Sequence, residues 1–217
     1  AQGCHDAAVA YEAPFISGKD SLNNEYTGAD GKKHAIPGTL LISALGIVPD
    51  VARTVTMSLK AAGDRLYIVG GNLPSPTFPP LAGVGSALAL YRALHAAMRA
   101  GLVRACHDCS EGGLAVAAAE MVIGGGLGLA LRLADAPRSP DLDRDEALLF
   151  SESLGRLLVE VAPEHAAEFA ARLAGLPCAA IGEVIAEPCL CVIGLAGAPV
   201  IEAELAALEQ AWRGHIR

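Results

Sequence analysis

The segment His107-Asp108-Cys109-Ser110-Glu111-Gly112-Gly113-Leu114 gathers the residue types best suited to chemistry in this 217-residue chain. A strand-like apolar run ends just before it, and an Ala-rich, helix-prone run begins just after it. Asp108 and Glu111 are carboxylates on such a strand-to-helix turn, the ligand type for a hard cation such as magnesium, with Glu111 the weaker candidate. Ser110 is placed to cap the helix, and Gly112 and Gly113 would let a phosphate approach the first free N–H groups. An ordinary capped helix would also carry acids here, favoured by the dipole.

A second polar cluster, Ser17-Gly18-Lys19-Asp20-Ser21-Leu22-Asn23-Asn24-Glu25, follows a short apolar run. It places a cation, hydroxyls, carboxylates and amides within one turn, which suits a phosphate or another polar ligand. It lacks the earlier glycine and the spacing of a Walker A loop, and a polar surface loop would look similar. In the third cluster, Phe150-Ser151-Glu152-Ser153-Leu154-Gly155-Arg156, Glu152 and Arg156 are expected to form a structural ion pair at the mouth of a strand. His5, His34, His95, His165 and His215 have no partner at a readable spacing and are expected on the surface.

Cys4, Cys106, Cys109, Cys178, Cys189 and Cys191 are read as reduced thiols, because four of them lie in apolar runs where free Cys behaves as a small hydrophobe. Cys106 and Cys109 form a C-x-x-C, but a zinc site needs a second ligand pair. Cys189 and Cys191 are expected on alternating faces of a strand, awkward for chelating one ion.

These clusters must be held by a framework, and the composition allows one: 53% hydrophobic and 18% charged residues exclude a disordered or fibrous chain. Net charge is −8, with basic residues scattered singly, so nucleic acid and anionic membranes are not expected partners. Residues 114–133 carry Glu120, a glycine run and Arg132, a poor membrane span. The N-terminus has no export signal and no initiator Met, which suggests a piece of a longer cytoplasmic chain.

Along the chain, residues 6–12 read as the end of a helix, 14–16 as a short strand, 26–38 as loop and 39–48 as a long β-prone run. Strands are expected at 54–59, 65–70, 102–107, 127–133, 156–161, 179–185 and 190–195. Helices are expected at 85–100, from 112 to the glycines at 124–126, up to 150, at 163–173 and at 202–212, with a Pro-rich loop at 73–80. This alternation argues for an α/β domain with a largely buried sheet and helices packed on it.

Taken together, Pro14-Phe15-Ile16-Ser17-Gly18-Lys19-Asp20-Ser21, Leu41-Ile42-Ser43-Ala44-Leu45-Gly46, Gly63-Asp64, residues 107–114 and residues 150–153 resemble, in this order, the phosphoribosylformylglycinamidine synthase family. The resemblance covers nearly the whole chain and points to the C-terminal part of that family's large subunit. It implies an α+β sandwich type of fold: residues 56–217 as an aminoimidazole ribonucleotide synthetase-like C-terminal domain with a mixed sheet, after residues 1–55 as the end of the second N-terminal-type domain.

The activity implied is the ATP-dependent conversion of formylglycinamide ribonucleotide, with glutamine-derived ammonia, to the amidine in purine biosynthesis. By the same resemblance Asp108 would bind magnesium, Gly18 and Ser110 would lie at nucleotide, and Ser21 would lie at the substrate phosphate or nucleotide. Beside these, Lys19, Gly112 and Gly113 are read as nucleotide contacts and Asp20 as a substrate contact. Some relatives hold magnesium with an Asn at the position of Lys19; a lysine cannot ligate the ion and is expected to contact phosphate. The family's catalytic histidine belongs to a first repeat outside this sequence, and no glutaminase Cys-His-Glu set is visible. Ammonia would therefore come from a separate glutaminase subunit or domain, and the 217 residues alone should be inactive. The alternatives are another ATP-dependent member of the superfamily, such as a thiamine-monophosphate kinase or selenophosphate synthetase, and a non-catalytic half that holds a structural nucleotide.

Overall fold

The computed structural model describes residues 1–19, 24–71 and 82–214, which divide into two units, Ala1–Thr54 and Val55–Arg217. The expected loop at 73–80 lies outside the described residues. In the first unit α1 (Gln2–Tyr11) ends at Glu12 in a left-handed conformation, whose N–H closes the last turn onto Ala8 and Val9. Residues 26–38, expected as loop, instead hold a hairpin of β1 (Glu25–Thr27) and β2 (Lys33–Ala35). Asp30 and Gly31 turn the chain, Lys33 pairs with Glu25, and the Tyr26 and His34 rings stack at 5.3 Å.

Residues 14–16 and 39–48 form no strand here, contrary to expectation. Leu41, Leu45 and Ile47 are 87%, 92% and 91% exposed. The reason is physical: β-prone residues make a strand only where a neighbouring strand accepts their backbone hydrogen bonds, and the short hairpin of this unit offers none to them.

The second unit is built on a seven-stranded sheet in the order β4-β6-β3-β7-β5-β8-β9. Its strands are β3 (Arg65–Val69), β4 (Ala105–Asp108), β5 (Gly128–Arg132), β6 (Leu157–Val161), β7 (Cys178–Ile185), β8 (Cys189–Ile193) and β9 (Pro199–Glu204). All pairings are antiparallel except β5 with β8, so the sheet is mixed, as the α+β sandwich type requires. The expected strand at 54–59 is reduced to one bridge, Thr56 to Ala105 on the outer side of β4. Residues 199–204, in part expected as helix, are drawn into β9 because β8 offers them a paired edge; α6 (Leu205–Gly214) starts only after it.

Strand alternation splits the core between the two faces. Leu66, Ile68, Leu129, Leu131, Ile181 and Leu190 point to one face, where α3 (Gly113–Gly125) and α4 (Asp145–Phe150) cover them. α3 is apolar on nearly all sides, and Gly126, left-handed at φ 67°, ends it. Tyr67, Val69, Val159 and Val161 point to the other face, under α2 (Ala82–Arg99) and α5 (Ala166–Arg172). Phe169 of α5 is fully buried there, its ring 4.9 Å from that of Tyr67. The expected helix at 163–173 is a 3-10 turn over Pro163–His165 that runs into α5.

One buried charge site holds the start of this unit to the sheet. Glu160 of β6 has no exposed surface, and its carboxyl accepts the N–H groups of Lys60 and Ala61 at 3.0 Å. It also hydrogen-bonds Asp64, which is 2% exposed and takes Arg104 Nη1 at 3.0 Å. Glu164 meets the same guanidinium at 3.4 Å. Burial, and then the neighbouring Asp64 carboxyl, push the Glu160 pKa up to about 7.

Two outcomes follow for stability. Between its usual value of 4.5 and about 7 the folded protein holds a Glu160 proton that the unfolded chain releases. The stabilisation is therefore complete below that window and lost as pH rises through it. Glu160→Gln keeps the N–H acceptor and a donor toward Asp64, so its unfolding free energy should match wild type near pH 4.5. It should exceed wild type above pH 7 by on the order of 2 kcal/mol, measured by denaturant titration across pH. Phe169→Ala should cost about 3–5 kcal/mol at all pH values in the same titration.

Candidate functional site

β4 lies at one end of the sheet order, and its last residue, Asp108, hands the chain to the turn that starts α3. Cys109 is buried, and its N–H donates to Arg156 O at 2.9 Å, which ties the turn to the residue before β6. Gly112 and Gly113 then follow with φ of 76° and 67°, two successive left-handed residues that other side chains would adopt only under strain. A Cβ at Gly112 would lie 2.3 Å from Val116 Cγ2, and one at Gly113 would lie 2.5 Å from Ser151 O.

The third motif thus meets the first. The chain after α4 brings Ser151 O against Gly113, and Glu152 Oε1 accepts the Gly112 N–H at 3.0 Å. The Gly113 N–H donates to Ser110 O at 3.1 Å. Both glycine N–H groups, expected to be free for phosphate, are therefore engaged, and an anion at Gly112 would have to displace the Glu152 carboxylate. The two glycines are required by close backbone packing and by the turn itself.

Two local expectations are corrected. Ser110 does not cap α3: the N-cap is Gly112, which makes no side-chain capping bond, and the Ser110 hydroxyl instead donates to the Asp108 carboxylate. This bond chiefly holds the Asp108 pKa below the usual carboxylate range, so the acid is ionised. Glu152 and Arg156 do not pair either. Arg156 is 2% exposed and donates to Leu148 O at 3.4 Å and to Ser151 O. Its Nε has no hydrogen-bond partner, and burial lowers the guanidinium pKa. A five-donor fork satisfies backbone carbonyls at a buried corner where one carboxylate already serves a helix start.

The two segments enclose a groove of about 380 Å³ lined by Tyr91, Asp108 to Glu111, Glu152 and residues 154–157. Its carboxylates, Asp108, Glu111 and Glu152, supply hard oxygen donors suited to magnesium. Among the described residues no three His, Cys, Asp or Glu side chains converge on a single ion position. The residues fit an ion held by one or two carboxylates, with the remaining ligands from water and a bound phosphate, the usual arrangement for magnesium. In the residue before Asp108, His107 Nε2 lies 2.7 Å from Glu120 Oε2 of α3, and His107 Nδ1 lies 3.5 Å from Asp108 Oδ1. Thirteen positions separate His107 from Glu120, so no local sequence signal announces the contact.

The second motif belongs to the other unit. Gly18 and Lys19 sit on exposed, irregular backbone, and a Cβ at Gly18 would meet nothing. Asp20 and Ser21 lie outside the described residues. His34, expected alone, faces Asp30 at 3.1 Å, and His5 faces Asp6 at 2.9 Å. Burial pushes the Cys106 thiol up to about 12 and that of Cys109 to about 11, so both are neutral. Cys189 and Cys191, expected on alternating faces, share one face with their Sγ atoms 3.4 Å apart, because a strand repeats every two residues.

Known proteins share both the sequence and the fold. The family model described as AIR synthase related protein, C-terminal domain, matches residues 84–193. The phosphoribosylformylglycinamidine synthase subunit PurL of Deinococcus radiodurans is 38% identical, across 97% of this chain and 30% of its own length. The structure of T. maritima PurL complexed with ADP superposes with a TM-score of 0.64 at 24% identity, covering 73% of this chain and 27% of that one. The same protein complexed with FGAR gives 0.62 at 24% identity, over 73% and 30%. At that identity the structures show the fold, and the chain spans less than a third of the length of these relatives. With half of its residues inside the matched domain, the chain belongs to the AIR synthase-related family.

Proposed function

We propose that this chain supplies the C-terminal domain of an ATP-dependent C–N ligase, which converts formylglycinamide ribonucleotide and glutamine-derived ammonia to formylglycinamidine ribonucleotide in purine biosynthesis. The observation that carries this reading is the convergence of two distant motifs, residues 107–114 and 150–156, on one groove with an ionised Asp108 at its rim. The similarity to PurL across 97% of the chain supports it, as do the ADP and FGAR complexes of T. maritima PurL.

In this reading Asp108 takes magnesium, Ser110 fixes the orientation of the Asp108 carboxylate and lies at nucleotide, and Glu111 is the weaker metal ligand. Magnesium bound there would neutralise charge on a phosphoryl group being transferred from ATP to the amide oxygen. Gly112 and Gly113 shape the floor of the groove, with Glu152 yielding the Gly112 N–H to an incoming phosphate. Gly18 and Lys19, at nucleotide, and Asp20 and Ser21, at substrate, belong to residues 1–55 as the end of the second N-terminal-type domain. Residues 56–217 form the C-terminal one. The first repeat and a glutaminase subunit or domain would complete the enzyme, and the 217 residues alone would not turn over.

The test uses the full-length polypeptide and follows ammonia-dependent ADP release with formylglycinamide ribonucleotide. Asp108→Asn should lower the rate about 100-fold or more, because removing the carboxylate charge removes metal-assisted stabilisation of the transferring group. The Asp108 side chain is 62% exposed, so the melting temperature of the variant should stay within about 2 °C of wild type. A shifted melting temperature with unchanged turnover would instead place the groove at a structural nucleotide. ATP consumption driven by thiamine monophosphate, with ADP as product, or by selenide, with AMP as product, and not by the ribonucleotide, would move the chain to another branch of the superfamily.

A further inference from the structure

We infer that Cys189 and Cys191 form a dithiol–disulfide couple, an oxidation site on the face of the sheet that, among the described residues, no helix covers at β8. Leu190 and Val192, which alternate with them, are buried in the core under α3, so the period of the strand puts both thiols on the opposite face. On that face the core under α2 and α5 is built on β3 and β6, and none of its residues comes from β5, β8 or β9. The two cysteines are half-buried and their sulfurs are 3.4 Å apart.

Across β5, Cys191 is opposite Ala130, whose methyl leaves the thiol approachable. Across β9, Cys189 is opposite Glu204 and Cys191 is opposite Glu202. Burial, the second thiol and the nearby carboxylates of Glu204 and Glu187 push the Cys189 thiol up to about 11, so Cys189 is held largely neutral and oxidation of the pair should accelerate as pH rises.

The co-reactant is a low-molecular-weight disulfide such as oxidised glutathione. One cysteine thiolate attacks it, a protein–glutathione disulfide forms and one glutathione thiolate leaves. The second cysteine thiolate then attacks the protein sulfur and expels the other glutathione. Two cysteine S–H groups are oxidised, one glutathione disulfide is reduced to two thiols, and both protons end on glutathione.

The strand resists the product. Residues i and i+2 of an extended strand have Cα atoms about 6.7 Å apart, at the long limit of about 6.8 Å for a disulfide. Closing the bond must pucker β8 and weaken its pairing with β9, so the disulfide should be readily reversed by glutathione.

Mass spectrometry of the chain after incubation with oxidised glutathione tests this. Cleavage at glutamates, which spares the Glu187–Pro188 bond, isolates residues 184–202, which contain only these two of the six cysteines. The expected peptide has lost two hydrogen atoms, carries no glutathione and is restored by reduced glutathione. It should form faster at pH 9 than at pH 7. Cys189→Ser and Cys191→Ser should each stop at a single glutathione adduct. Two separate adducts on the wild-type peptide, or unreacted thiols at pH 9, would overturn the inference, as would a crosslink to Cys178 instead. Hydrogen exchange on the oxidised chain should show lost protection over residues 199–204; full retention would sink the predicted pucker.

Discussion

A carbonyl oxygen occupies the place where any side chain at residue 113 would have to go. Ser151 O would stand 2.5 Å from a Cβ there, and Leu149 O 2.9 Å, so the first residue of α3 touches the turn after α4 backbone to backbone. Much else depends on that contact. It brings Glu152 within hydrogen-bond reach of Gly112, gives Arg156 a carbonyl at Ser151 to hold, and closes the groove beside Asp108. A methyl at this position would push the two motifs apart as well as strain a left-handed residue.

The same corner shows how the fold tolerates buried polarity. Arg156 is buried with no carboxylate among its hydrogen-bond partners; backbone carbonyls take its Nη groups and its Nε stays unpaired. An unmet buried donor costs about 1–3 kcal/mol, which the surrounding core offsets. At the other end of β6, Glu160 solves the problem by keeping a proton and accepting two backbone N–H groups. One strand thus carries a buried cation at its mouth and a buried acid near its far end, each satisfied mostly by main chain. That choice fixes the position of loops, because carbonyls and N–H groups cannot swing as side chains can.

The elements legible in the sequence are those whose pattern is local. β3, α2, β6 and α3 have apolar periodicity or glycine stops that hold in any context, and they appear within a few residues of expectation. The misplaced ones depend on a neighbour. Residues 199–204 have helix-forming Glu and Ala yet pair with β8, and residues 39–48 have strand-forming side chains yet find no strand. At the groove the residue types were legible and their bonds were not. Ser110 has the side chain of a cap and serves Asp108; Glu152 and Arg156 have the charges of a pair and serve separate backbone groups.

Residue order alone sets the inventory: an apolar α/β alternation, carboxylates and glycines on a strand-to-helix turn, and two thiols two positions apart. Local propensity and chemistry are properties of neighbouring residues, so they can be read in order. Which groups meet is settled only once the chain has folded. Glu152 reaches Gly112 from 40 positions away, Glu160 reaches Lys60 from 100, and these contacts arise where the folded sheet and its helices bring distant main chain together. Buried polar groups must be satisfied by whatever lies within reach, and reach is set by packing, not by spacing along the chain.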